Sequence, residues 1–168
     1  CVVTLLPERE MRERFADRRF GYQVISFLDY SQNPYRAESD SIIRKWNLGV
    51  TENDRGEYRK GKLVDPAHPV VFYIDTCCPA EFVPYIKEGV LAWNAAFEKA
   101  GFKNALRVKM ADSKTVLEEQ RAVIAYDLHE AGIRTGYTFH PKTGEILSCR
   151  VNIGHGFLPK ELWRYCLL

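Results

Sequence analysis

His129-Glu130-Ala131-Gly132-Ile133 is the stretch most suggestive of chemistry. A helical His-Glu-x-x-His holds zinc with two imidazoles one turn apart and keeps the glutamate beside the bound water as general base. Here Ile133 stands where the second histidine belongs, and Gly132 with its turn-like surroundings argues against a helix, so the stretch reads as a turn. A nucleophilic site needs a thiol or hydroxyl near a base. Cys149 and His140 fall on opposite arms of a predicted hairpin, but the plainer reading is a small buried thiol and a surface imidazole beside a turn. His155, between Gly154 and Gly156, sits on backbone that is mobile or closely approached. His68 precedes Pro69 and has no partner in the sequence. Gly154-His155-Gly156 lacks the third glycine and the spacing of a phosphate loop. The cysteines are Cys1, Cys77, Cys78, Cys149 and Cys166. Their number is odd, the adjacent pair is poor geometry for a mutual disulfide, and no Cys-x-x-Cys or finger-like spacing occurs, so all five read as partly buried thiols. Trp46, Trp93 and Trp163 read as packing residues. The residues alone make no complete catalytic constellation.

The elements that would position these groups follow from periodicity. Pro7 to Arg19 mixes charges of both signs and reads as a solvated segment. Phe20 to Tyr30, rich in β-branched and aromatic residues, predicts a strand. Ser31-Gln32-Asn33-Pro34 predicts a turn, and Ser41 to Leu48 a second strand that pairs with the first. Thr51 to Pro66 is polar and reads as a linker or exposed loop. Val70 to Ile74 is a short apolar strand. Phe82, Ile86, Val90, Trp93 and Phe97 then follow steps of four, four, three and four, one apolar stripe along a helix. Pro84 suits its first turn, and Gly101 with Phe102 suits its C-terminal cap. Leu106 to Met110 and Ala122 to Tyr126 read as strands, with a loop or helical turn at Asp112 to Gln120 between them. Gly136 to Phe139 and Ile146 to Ile153 flank the turn His140 to Glu145, a hairpin with Gly144 at the position of positive φ. Pro159 to Leu168 starts a helix. The fold class is α/β (α+β): a mixed twisted sheet with one long helix packed across it, preceded by a small β arm. Residues 1–66 form the arm and linker, and 67–168 the main body.

Composition narrows the function classes. Apolar residues make up 46% and charged residues 27%, which excludes disorder, collagen and coiled coil. The longest apolar runs are a few residues, too short for a membrane-spanning helix. The 24 basic and 22 acidic residues are interspersed and leave a net charge of +2, so nothing points to nucleic acid as a partner. The chain opens on Cys1-Val2-Val3-Thr4, without methionine or signal peptide, and stops at Arg164-Tyr165-Cys166-Leu167-Leu168, which reads as a piece of something longer.

Two longer stretches carry a resemblance. Val71-Phe72-Tyr73-Ile74-Asp75, followed by Tyr85 through Trp93-Asn94-Ala95-Ala96-Phe97-Glu98-Lys99-Ala100-Gly101-Phe102 to Ala105, is very similar to a family of large bacterial zinc-dependent metallopeptidases. Pro141-Lys142-Thr143-Gly144-Glu145-Ile146-Leu147 is similar to that family's hairpin. Met11-Arg12 through Gly21-Tyr22, and Ile42 to Leu48, resemble segments that precede its catalytic domain. The resemblance implies the upper half of a metzincin-like domain from a hydrolase that is secreted, periplasmic or outer-surface in a bacterium. Its substrate, a peptide or protein, would bind as an added strand beside an edge strand. The strand ending at Ile153 would be that edge, which makes Arg150, Val151, Asn152, Ile153, Gly154 and His155 the candidate substrate-binding residues; His155 falls where the family tends to carry a histidine.

The family's His-Glu-x-x-His-x-x-Gly-x-x-His helix lies C-terminal to this region, beyond Leu168, and Asp127 to Thr135 departs from the family's wording. No metal ligand and no catalytic residue carries over. The expectation is therefore a truncated domain whose complete enzyme uses zinc, with no cofactor and no activity for this chain alone. The competing reading is a non-enzymatic protein-binding module that associates through the exposed edge strand near Arg150 to Gly154. A hydrolase dependent on Cys149 is the third.

Overall fold

The computed structural model describes residues 5–8, 10–17, 19–31, 33, 35–112 and 122–157. Cys1, Cys166, Trp163, the helix expected over Pro159 to Leu168 and nearly all of the connection expected at Asp112 to Gln120 lie outside the described residues. The chain divides into two compact units. One comprises residues 1–47 with 138–147; the other comprises 48–137 with 148–168.

In the first unit, β1 (Val24–Asp29) and β2 (Glu38–Ile43) form an antiparallel ribbon with Val24 opposite Ile43 and Asp29 opposite Glu38. β2 starts earlier than its apolar residues suggest because β1 supplies backbone partners as far as Glu38. It stops at Ile43 because the chain then changes partner: Lys45 N–H donates to the Gly144 carbonyl, and Ile146 N–H donates to the Lys45 carbonyl. A two-stranded ribbon is marginal in water by itself. Arg14 to Ala16 line the far side of β2 through two further backbone hydrogen bonds. Ile42 and Ile43 are the buried apolar residues of β2, and the turn residues His140, Thr143 and Glu145 are buried in the same unit.

The second unit carries β3 (Val70–Ile74), α2 (Val83–Ala92), α3 (Asn94–Lys99), β4 (Leu106–Met110), β5 (Ala122–Asp127), most of β6 (Ile133–Phe139) and most of β7 (Ile146–Gly154). The five strands form one mixed sheet in the order β4-β3-β5-β7-β6. β3 is parallel to β4 and to β5, and β5 is parallel to β7. Parallel neighbours need a crossover, which α2 and α3 supply between β3 and β4. β6 and β7 are consecutive and joined by the tight turn at 140–145, which sets β6 on the outside of β7. β5, in the middle, is buried at four successive residues, Ala122 to Ala125, as a central parallel strand should be.

The helix runs as two segments that meet at Trp93. Phe82, Ile86, Val90 and Phe97 are half-buried, as the stripe requires. Trp93 departs from it: its side chain is 67% exposed, and Asn94 holds the inward position. The Asn94 amide donates to the Leu106 carbonyl (3.1 Å) and accepts from the Leu106 N–H (2.8 Å), which ties the helix to β4. Gly101 closes the helix with φ +92°, and Phe102 N–H returns to the Phe97 carbonyl. The polar stretch before β3 is more ordered than its composition suggests. It contains α1 (Arg55–Arg59), and Tyr58 stacks on Phe102 at 5.3 Å and donates to the Ala100 carbonyl.

Candidate functional site

β3, β5 and β7 run parallel, so their carboxyl ends and the loops that follow gather on one side of the sheet. Asp75 is buried there, beyond Ile74. Its carboxylate accepts from Cys77 N–H (3.2 Å), and its carbonyl accepts from Cys78 N–H (3.0 Å), so the loop folds back over the strand end. Burial first, and then the Asp75 charge, push the Cys78 thiol above its ordinary range. One strand over, the Tyr126 hydroxyl and His155 Nδ1 are 2.7 Å apart, and the two rings meet edge to face. Phe82, at the start of α2, also packs against Tyr126, with ring centroids 5.8 Å apart. His155 N–H donates to the Asp127 carbonyl (2.8 Å), so its imidazole is held by backbone and side chain together. His155 as a whole stays exposed.

The turn between β5 and β6 rests on this same loop. Gly154 N–H donates to the Gly132 carbonyl (2.9 Å) and Gly156 N–H to the Glu130 carbonyl (3.2 Å). A Cβ at Gly154 would collide with the Glu130 carbonyl, so glycine is required there by the closeness of the two backbones. The result is a braced entry into β6.

The His129-Glu130 stretch is that turn. His129 N–H caps the Asp127 carboxylate (2.9 Å), Glu130 pairs with Arg134 (3.0 Å), and Ile133 opens β6. Among the described residues no group of three or more His, Cys, Asp or Glu is placed to hold a metal ion. With Ile133 in place of the second histidine, these residues do not fit a zinc centre.

The edge assignment needs correction. Arg150, Val151, Asn152, Ile153 and Gly154 lie on β7, which is not an edge: Cys149 to Gly154 pair with Ala122 to Asp127 of β5 on one side, and β6 flanks β7 on the other. The hairpin is the physical reason, because its first arm takes the outer place. Arg150 is exposed and its Nε donates to Asn152 (3.1 Å). Among the described residues the sheet ends at β4 and at β6, and β6 is exposed from Ile133 through Gly136.

Cys149 and His140 make no case for a nucleophilic pair. Cys149 is buried, and burial raises its thiol above the ordinary range, with Tyr137 hydrogen bonding acting in the opposite sense. His140 is not at the surface: it is 1% exposed, its Nδ1 accepts from Lys142 N–H (3.2 Å), and its Nε2 lies 3.7 Å from the Glu10 carboxylate. His68 contributes its N–H to the Leu48 carbonyl. Sequence reasoning missed the Tyr126–His155 pair and the β6 edge. A polar, glycine-bearing strand beside two apolar ones was the available sign of the edge.

Comparison with known proteins gives a match over the first part of the chain only. The sequence family described as a domain of unknown function (DUF5117) matches residues 2–51. No curated protein and no solved structure matches the chain.

Proposed function

We propose that this chain is the sheet-and-helix part of the catalytic domain of a secreted bacterial zinc endopeptidase, in which β6 receives the substrate as an added strand. The similarity of Val71 to Asp75, Tyr85 to Ala105 and Pro141 to Leu147 to such enzymes supports it. The observation that carries it is the place of β6 as an outer strand of the sheet among the described residues, braced at its start by Gly154 and Gly156. An extended peptide gains backbone hydrogen bonds along such an edge while its side chains stay readable on alternate faces. The zinc ligands and the general base belong to a His-Glu-x-x-His helix that these 168 residues do not contain. Zinc held by such a helix would supply an activated water for peptide hydrolysis, and the glutamate of that helix would be its base.

The test is to read the coding sequence past Leu168 and to assay the longer product. A His-Glu-x-x-His motif, with chelator-sensitive cleavage of casein lost on glutamine substitution of its glutamate, supports the proposal. A stop codon at that point overturns it. The same open edge favours a second reading, a binding module without catalysis. A homodimer joined through β6, seen by solution scattering of the 168-residue chain, would favour that one.

A further inference from the structure

His140, buried in the first unit, is an imidazole with one nitrogen engaged and the other waiting. Nδ1 accepts from the Lys142 backbone N–H at 3.2 Å, which places the proton of the neutral ring on Nε2. Nε2 is itself buried and has no hydrogen-bond partner among the described residues. The Glu10 carboxylate stands 3.7 Å from it, just outside hydrogen-bond range. Glu10 belongs to the N-terminal segment, which lies along β2: the Arg14 carbonyl accepts from Ile43 N–H (2.9 Å), and the Arg12 carbonyl accepts from the Lys45 ammonium (2.9 Å). The Glu10 side chain is 53% exposed, so it has room to move. The other charged side chains on the elements around the ring are Glu8, Arg12, Glu13 and Arg14 of that segment, Arg44 and Lys45 after β2, and Lys142 and Glu145 of the turn. Arg44 lies over the Phe139 ring. Glu145 accepts from the Asn47 amide with one carboxylate oxygen, and its other oxygen is buried without a hydrogen-bond partner among the described residues.

We propose that His140 is a proton-operated latch: neutral, it holds its own turn through Lys142, and protonated, it releases that bond and pairs with Glu10, drawing in the N-terminal segment. A proton added at Nδ1 sets two N–H donors against each other, so the Lys142 bond does not persist. The charged ring then attracts the Glu10 carboxylate, and a charge-assisted bond from Nε2 offsets the one lost. The neutral ring lacks that charge, which is why the carboxylate stands off. Protonation thus changes which neighbour the imidazole grips.

The test is a pH titration of the isotope-labelled 168-residue chain, following the His140 ring carbons, the Glu10 carboxyl carbon and the backbone amides by NMR. His140→Gln identifies the ring signals among those of His68, His129 and His155. As His140 takes up its proton, and while Glu10 is still ionised, the exchange protection of the Lys142 amide should fall about tenfold, the effect of one lost hydrogen bond. Over the same step the amides of residues 10–14 should gain protection severalfold. In Glu10→Gln, a change at an exposed side chain, Lys142 should still loosen while the gain at 10–14 disappears. Glu145→Gln should leave both effects in place; if that variant does not fold, Glu10→Gln decides alone. Lys142 protection that does not follow the His140 titration overturns the latch, as does a ring that stays neutral until the chain unfolds. A gain at 10–14 that survives Glu10→Gln, or that Glu145→Gln abolishes, overturns Glu10 as its partner.

Discussion

Asn94 shows how one polar side chain replaces an apolar contact. The stripe of the helix pointed to Trp93 at this level, but the tryptophan faces outward and the Asn94 amide completes both hydrogen-bonding groups of Leu106. Asn94→Leu keeps much of the volume and leaves that N–H and C=O without partners, which costs about 2 kcal/mol. The expected reading is a lower urea midpoint at unchanged slope. The sequence could not disclose this, because a periodic count treats asparagine as solvent-facing. His140 is similar: a histidine next to Pro141-Lys142-Thr143-Gly144 looks like a surface residue until the turn itself is found buried. The thiols give a second prediction. Cys78 and Cys149 have raised pKa values, so each keeps its proton to higher pH and offers less thiolate near neutrality. Cys77 is exposed. Iodoacetamide at neutral pH should mark Cys77 well before Cys78 and Cys149, and the latter two should gain rate as pH climbs past the ordinary thiol range. Mass mapping that found Cys149 labelled first would revive a thiol mechanism.

Elements with strong local signals were legible. β3 falls where its apolar run does, and the helix starts near Pro84 and closes at Gly101, because proline, glycine and apolar spacing act within a turn or two. Which strand becomes the edge is set by pairing between distant segments, so reading β7 alone led to the wrong member of the hairpin. Composition held the clue. Ala122 to Ala125 is buried throughout, whereas Ile133-Arg134-Thr135-Gly136 is exposed at all four residues and carries arginine, threonine and glycine. Gly144 offers an element-scale test. Its φ is +71°, and a Cβ would run into the Ile43 carbonyl. Gly144→Ala should destabilise the ribbon and turn by about 2 kcal/mol or more. Amide hydrogen exchange should show that loss in residues 38–46 and 138–147, with the amides of β3 and β5 largely unaffected.

At the scale of the molecule, the order strand, helix, strand, strand, hairpin was readable from Val70 onward. The membership of the first unit was not, since it joins residues 1–47 to 138–147 across about ninety intervening positions. For the chain as a whole we expect no stoichiometric zinc binding by calorimetry and no chelator-sensitive proteolysis. Tight one-to-one binding, or cleavage by the pure 168-residue chain, would refute that. The divided first unit also has a consequence for synthesis. Domains tend to fold as they emerge, N-terminal part first. Here the arm leaves the ribosome early with Phe20, Tyr22, Leu28, Tyr30 and Tyr35 outermost, while the turn that completes its packing is translated some ninety codons later. During that interval the newborn segment is a sticky, unfinished ribbon. Its safe passage depends on how fast translation delivers the turn, or on a chaperone that waits with it.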